Sequence, residues 1–163
     1  MKVFEPTYTR KSVSDIENGF FQKENISCVL LDIDNTLVAD NEPYPDDSAR
    51  AFIRRLNDEK LKICLVSNNK LSRVESFNGE FSLKAVHRAH KPFCRKINKA
   101  IRELGAVKEQ TLFIGDQLLT DIPAGNRCHI RTMLVDPINP GKENSFFKFK
   151  RFIENYLLKR NFR

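Results

Sequence analysis

Short apolar runs alternate along the chain with longer segments whose apolar residues recur every three or four positions. The runs are ISCVLLDI (26–33), LKICLVS (61–67), SLKAVH (82–87), TLFIGD (111–116) and IRTMLVD (130–136). Their continuous apolar character predicts strands covered on both faces, as in parallel sheets. Between them lie DDSARAFIRRLNDEK (46–60), NKLSRVESFN (69–78), PFCRKINKAIRELG (92–105) and LLTDIPAGNRC (118–128), each long enough for a helix. Ala49, Phe52, Ile53 and Leu56 give the first a helical stripe, with Asp46 after Pro45 suited to its N-cap. Pro92 is expected in the first turn of the third and Gly105 at its C-terminal stop. Pro123 predicts that the fourth is short or irregular. Near the N-terminus, SDIENGFFQKEN (14–25) predicts a short helix over the sheet with Ser14 as cap. Strand–helix alternation of this kind predicts an α/β fold with a doubly wound, mainly parallel sheet. No repeat, low-complexity tract or linker divides the chain, so residues 1–163 are expected to form a single domain.

In such sheets a ligand lies beyond the carboxyl ends of the strands. The polar residues of this chain gather at that edge. The first run ends in Asp32 and Asp34, followed by Thr36; the second ends in Ser67, Asn68 and Asn69. Lys91 follows the third, and the fourth ends in Gly115 and Asp116, with Asp121 five residues on. Any one of these clusters could be a turn or a helix cap. Four in agreement are hard to explain by capping. Two carboxylates held close resist joint ionisation unless a cation lies between them. Several carboxylates with an amine and hydroxyls suit a hard, oxygen-loving cation and a phosphate. A carboxylate can attack phosphorus as a nucleophile, and a second can protonate the leaving oxygen and then activate water. A lysine and hydroxyls can offset charge on the phosphoryl group.

Composition narrows the setting. The chain has 163 residues, 40% hydrophobic and 30% charged, the balance of a soluble globular protein. Its net charge of +7 favours an anionic partner. Residues 142–163 carry seven basic residues against Glu143 and Glu154, which is +5 of that total. Within this tail Phe149, Phe152, Ile153, Tyr156 and Leu157 fall at helical spacing. A basic amphipathic helix lying on anionic lipid fits that pattern, and so does a helix docked on the core or on another subunit. Cys28, Cys64, Cys94 and Cys128 are singly spaced and read as reduced thiols with no zinc or disulfide pattern. His87 and His90 read as structural strand-end residues. The first residues lack the apolar core of a secretory signal, and no window has the ~18 apolar residues of a membrane span, so the expected location is the cytoplasm.

LDIDNTLV, VSNN, RAHKP and GDQLLTDIPAGNR together resemble, in order, the four signature motifs of the haloacid-dehalogenase (HAD) superfamily. More narrowly they resemble its subfamily IIIA, the YqeG-type phosphatases, which are related to the mitochondrial phosphatidylglycerophosphate phosphatase. The resemblance covers roughly residues 5–140. It implies a Mg2+-dependent phosphomonoester hydrolase working through an aspartyl-phosphate. It makes Asp32 the nucleophile and a metal ligand, and Asp34 the general acid/base whose backbone carbonyl also meets the metal. It places Thr36, Ser67 and Asn68 at the transferring phosphate and Lys91 against the phosphoryl group and nucleophile. Asp116 would bind Mg2+, with Asp121 supporting the metal site or Lys91.

The spacings from Asp32 to Ser67 and from Ser67 to Lys91 leave no room for a cap domain, so the site is expected to be open to a bulky substrate. Phosphatidylglycerophosphate is what the resemblance suggests, with peripheral contact at the inner membrane face through the tail; a phosphoprotein or a nucleic-acid end is the alternative. A phosphoacceptor signalling domain is a rival, but it carries its acceptor aspartate on a later strand. A nucleic-acid-binding protein built on the same scaffold is a second rival, to be recognised by salt-dependent binding without hydrolysis. No GxGxxG follows the first run, which argues against a dinucleotide site.

Overall fold

The computed structural model describes residues 3–139. The strands are β1 (Tyr8–Arg10), β2 (Cys28–Leu31), β3 (Lys62–Val66), β4 (Lys84–Val86), β5 (Thr111–Gly115) and β6 (Arg131–Val135). The helices are α1 (Phe20–Lys23), α2 (Asp47–Asp58), α3 (Leu71–Asn78), α4 (Arg95–Glu103) and α5 (Asp121–Arg127). One sheet runs in the order β1-β6-β5-β2-β3-β4, and every neighbouring pair is parallel. The expectation of a doubly wound α/β sheet is met, and the sheet is wholly parallel among the described residues.

Alternate residues of each central strand serve opposite layers, which is why the runs read as continuously apolar. Val29, Leu31, Ile63, Leu65, Leu112 and Ile114 pack with Phe21, Phe52, Ile53, Leu56 and Phe77 from α1, α2 and α3. Cys28, Leu30, Cys64, Val66 and Phe113 pack with Ile97, Ala100, Ile101 and Ala124 from α4 and α5. Burying a side chain of this size contributes about 1.5–3 kcal/mol, and the two layers together hold the sheet in register.

Local chemistry sets the helix ends. Asp46 Oδ1 accepts a hydrogen bond from Ala49 N at 2.7 Å and caps α2, as its position suggested. Gly105 adopts φ 55° just past α4. There Gly105 N donates to Arg102 O and Ala106 N to Ile101 O, closing the helix in a Schellman motif. Pro123 is the third residue of α5, in the first turn, where its missing N–H has no intrahelical partner to lose.

Three local expectations are corrected. Pro92 precedes α4 by three residues instead of lying in its first turn. Ser14 caps nothing; it lies in a 3-10 turn, Val13–Asp15, with its hydroxyl 3.3 Å from that of Ser48. The 14–25 helix is reduced to α1, which starts after Gly19. The sequence also offered no sign of β1, a three-residue strand at the sheet edge whose segment is tied to β6 by Thr7 and Thr132. Thr7 N donates to Thr132 Oγ1 and Thr132 N to Thr7 Oγ1. The tail at 142–163 lies outside the described residues. No helix among the described residues is long and apolar enough to cross a membrane.

From β2 the chain winds outward through β3 to β4, then returns to place β5 on the other side of β2. The strand order therefore reverses between β2 and β5, and the carboxyl ends at such a reversal are where open α/β sheets bind ligands. No cap domain is inserted after β2 or β3 among the described residues.

Candidate active site

Asp32 directly follows β2, and its N–H extends the ladder to Ile114 O at 3.0 Å. The chain then folds back tightly. Asn35 takes φ 63°, donates from its backbone to Val38 O, and Ile33 O accepts from Leu37 N at 2.9 Å. Asn is among the few non-glycine residues that tolerate this left-handed conformation. The turn brings Thr36 Oγ1 to 3.3 Å from Asp32 Oδ2 and 3.4 Å from Asp116 Oδ1. Asp116 directly follows β5, next to Asp32 across the reversal in strand order. Asp121 opens α5, and its Oδ2 accepts from Gln117 N at 3.0 Å.

Lys91 enters from the loop after β4. Its Nζ stands 2.5 Å from Asp32 Oδ1 and 2.7 Å from Asp121 Oδ1. All four charged groups are nearly sealed from solvent: Asp32 4% exposed, Lys91 8%, Asp116 3% and Asp121 1%. One oxygen from each of Asp32, Asp116 and Asp121 lies within 4.8 Å of the others. Three buried carboxylates thus crowd around one ammonium. The donor set fits a hard cation with oxygen ligands.

The electrostatics carry the same signature. Burial pushes the Asp32 carboxyl up to about 7; Lys91 opposes the shift, while Asp121 and Asp34 add to it. Burial acts to lower Lys91, but the Asp121 and Asp32 carboxylates outweigh it and raise its pKa, keeping the ammonium charged.

The loop carrying Lys91 is stitched to the end of β3. Asn68 Oδ1 accepts from Lys91 N at 2.7 Å and its Nδ2 donates to Lys91 O at 3.2 Å. Ala89 N donates to Ser67 O and Arg88 N to Asn69 O. Arg88 and His90 take φ 42° and 59°, a strained path that these bonds hold in place. Ser67 is buried at the end of β3, where its Oγ accepts from Asn69 N at 3.0 Å. Asn68, expected beside a phosphate, thus has its amide engaged with the Lys91 backbone.

Asp34 stands apart from the buried cluster. Arg73 donates to its Oδ1 from Nε at 2.9 Å, with Nη2 at 2.7 Å, and Asn69 Nδ2 donates to Oδ2 at 2.8 Å. Arg73 was not among the expected site residues, and Asn69 was read among the polar residues of this edge but was given no role. The arginine's spacing, six residues after Ser67 in the first turn of a helix leaving this edge, was the available signal. Among the described residues, no histidine or cysteine joins a group able to hold a metal. Cys28, Cys64, Cys94 and Cys128 are free thiols, and burial raises the pKa of Cys28, Cys64 and Cys128.

Gly115 gives the site its close packing. A Cβ there would sit 2.6 Å from Asp121 Cγ, so any side chain displaces the carboxylate that holds Lys91. Gly115→Ala is expected to cost about 1–3 kcal/mol of stability, as overpacking does. It should also lower turnover well beyond what the lost folded fraction explains, as thermal unfolding and assay at a temperature below the transition would show. A variant with unchanged turnover would mean that the Asp121–Lys91 contact is dispensable.

Comparison with known proteins agrees with this geometry. A family model for haloacid dehalogenase-like hydrolases matches residues 16–129. The protein named "Probable phosphatase YqeG" from Bacillus subtilis (strain 168) is 31% identical over 157 residues, covering 96% of this chain and 91% of that protein. A phosphatidylglycerophosphate phosphatase 1 from Arabidopsis thaliana, chloroplastic/mitochondrial, is 28% identical over 165 residues. That match covers 95% of this chain but 47% of the plant protein. Among solved structures, a protein from Vibrio cholerae proposed to be a 3-deoxy-D-manno-octulosonate 8-phosphate phosphatase superposes with TM-score 0.56 at 16% identity, over 76% of this chain and 74% of that one. A thermostable NPPase from Geobacillus stearothermophilus gives TM-score 0.53 at 15% identity, over 75% and 94%. At such identities these two likenesses concern the fold.

Proposed function

The chain belongs to the haloacid dehalogenase-like hydrolase family as one of its phosphatases, and from that premise we propose that it hydrolyses phosphomonoesters through an aspartyl-phosphate on Asp32, with Mg2+ as cofactor. The observation that carries this reading is the sealed contact of Lys91 with Asp32 and Asp121 beside Asp116. Asp32, Asp116 and the backbone carbonyl of Asp34 would hold the Mg2+, with Asp121 supporting the site. When bound, the ion neutralises the carboxylates and draws charge from the phosphoryl oxygens.

In the first half-reaction an Asp32 oxygen attacks phosphorus, the bond to the leaving oxygen breaks, and Asp34 gives that oxygen a proton. In the second half-reaction water attacks the same phosphorus while Asp34 takes its proton. The bond to Asp32 then breaks and inorganic phosphate leaves. Lys91, held charged by its two carboxylate partners, stabilises the transferring phosphoryl group. Thr36 and Ser67 offer hydroxyls to its oxygens. Asn68 contributes by fixing the backbone of Lys91.

The substrate class we favour is a phosphate on an anionic lipid, with phosphatidylglycerophosphate first among candidates. Three observations support it. The name of the plant relative is one. The sequence charge of the 142–163 tail is another. The third is a set of exposed hydrophobics in the segments that leave the site's edge of the sheet. Among the described residues six large hydrophobics are well exposed, and Tyr44, Leu71, Phe93 and Ile138 follow the carboxyl ends of β2, β3, β4 and β6. In a parallel sheet those ends share one edge, the edge that holds Asp32. Exposed apolar groups in the segments beyond the edge that carries a polar site fit a partner with both a headgroup and a hydrocarbon boundary. On this reading the enzyme works from the cytoplasm at the inner membrane face.

A Mg2+ assay across lipid phosphates in mixed micelles, phosphorylated nucleic-acid ends and phosphopeptides tests the assignment. The lipid phosphate should give the highest kcat/KM. Preference for a nucleic-acid end or a phosphopeptide would move the substrate class and leave the phosphatase chemistry standing.

A further inference from the structure

We propose that Arg73 is a positioning residue for proton transfer at Asp34, acting together with Asn69; the proposal rests on the role given to Asp34 above. Arg73 lies in the first turn of α3 with its side chain only 13% exposed. Its guanidinium meets Asp34 Oδ1 through Nε and Nη2 and donates from Nη1 to Pro43 O at 3.0 Å. Asn69 holds the other carboxylate oxygen. Both oxygens of Asp34 are therefore fixed, and the same guanidinium ties the carboxylate to the loop between β2 and α2.

The pairing is specific. Lys91 already serves Asp32 and Asp121, so Arg73 is spent on the one site carboxylate outside the metal-binding group. An exposed ion pair would contribute little, but here a mostly buried guanidinium holds one carboxylate oxygen while Asn69 holds the other, and the two contacts together fix the distance and the plane of the carboxylate. A general acid must hold its proton within hydrogen-bond reach of the leaving oxygen, and a carboxylate free to rotate spends most of its time elsewhere. The Pro43 contact adds a link: the orientation of Asp34 is set by the same group that anchors the loop carrying Tyr44.

The leaving group tests this. An aryl phosphate expels a stable phenolate and needs little help from an acid; an alkyl phosphate needs its leaving oxygen protonated. Arg73→Lys and Asn69→Ala should lower kcat/KM for glycerol phosphate at least about tenfold more than for p-nitrophenyl phosphate, the scale on which general acids act. The KM for p-nitrophenyl phosphate should stay within a few-fold of that of the unmodified enzyme. Asp34→Asn, run beside them, should show the same dependence more strongly. Equal losses on both substrates would overturn the proposal and leave Arg73 as a latch for the loop. If Arg73→Lys fails to fold, Asn69→Ala decides alone, since it frees the other oxygen of Asp34. An Asp34→Asn variant without leaving-group dependence would remove the acid role itself, and this inference with it. Dependence in Asp34→Asn but in neither partner variant would overturn this inference only.

Discussion

Asp32→Asn is expected to reduce phosphatase turnover by about 10³-fold or more, equivalent to about 4 kcal/mol of barrier, while the protein stays folded. Asparagine keeps the shape of the side chain and removes the anionic oxygen that would attack phosphorus. The fold should survive because Lys91 keeps Asp121 as a partner at 2.7 Å, so no buried ammonium is stranded. Stability should hold for a second reason. Burial already raises the Asp32 carboxyl to about 7, so its ionisation in the metal-free protein is opposed by its surroundings. The folded state thus retains a proton that the unfolded chain gives up near the ordinary carboxylate value. Ionised Asp32 consequently weakens the fold progressively as pH rises through that interval, and asparagine escapes the penalty. Turnover of an aryl phosphate and thermal unfolding at pH 7.5 would check both halves. Near-normal turnover in this variant would sink the nucleophile assignment.

Exhaustive chelation is expected to abolish activity, Mg2+ to restore it, and Ca2+ to restore it poorly. The larger Ca2+ ion takes more ligands at longer distances and would misplace the phosphate. Stability should follow occupancy. At about 100 times its dissociation constant, an ion that binds only the folded state adds about 2.7 kcal/mol. Mg2+ should therefore raise the melting temperature of the unmodified protein, and Asp116→Asn should lose most of that rise, having one negative charge fewer in the cluster of Asp32, Asp116 and Asp121. Activity that persists after complete chelation, or a melting temperature indifferent to Mg2+ in the unmodified protein, would rule the cofactor out.

The central fold and the centre of the site were legible for the same reason. Strands sealed on both faces leave a run of apolar residues, and the first polar residue after each run marks the edge where a ligand can lie. Asp32, Ser67 and Asp116 were found in this way. Lys91 and Asp121 needed only a few more residues of loop. What escaped was set by contacts between distant segments. β1 has no apolar run because it is a three-residue edge strand, placed by its ladder to β6. Arg73 reads along the chain as one more charged position in an amphipathic helix. Its relation to Asp34, 39 residues earlier, exists only once α3 has packed beside the loop after β2. Asn68 shows the converse: its residue type suits a phosphate, and the chain alone gives no sign that its amide also bonds the backbone of Lys91.

The reversal of strand order between β2 and β5 also has a kinetic meaning. Cys28 pairs in register with Thr111, so the central seam of the sheet joins segments 83 residues apart. Closing so long a loop carries its entropic cost before any contact across the seam repays it, which slows the folding of parallel sheets. A chain that has formed β2, α2, β3 and α3 already possesses Asp32, Thr36 and Ser67 in their local turns. It still lacks Asp116 and Asp121, and one edge of β2, with Val29 and Leu31 on it, stands open. Arrival of β5 pairs that edge, and Asp116 and Asp121, which follow β5 in the chain, reach Asp32 only then. No partly folded chain without β5 can assemble the buried charge cluster, so the three carboxylates come together only once the long loop across the seam has closed.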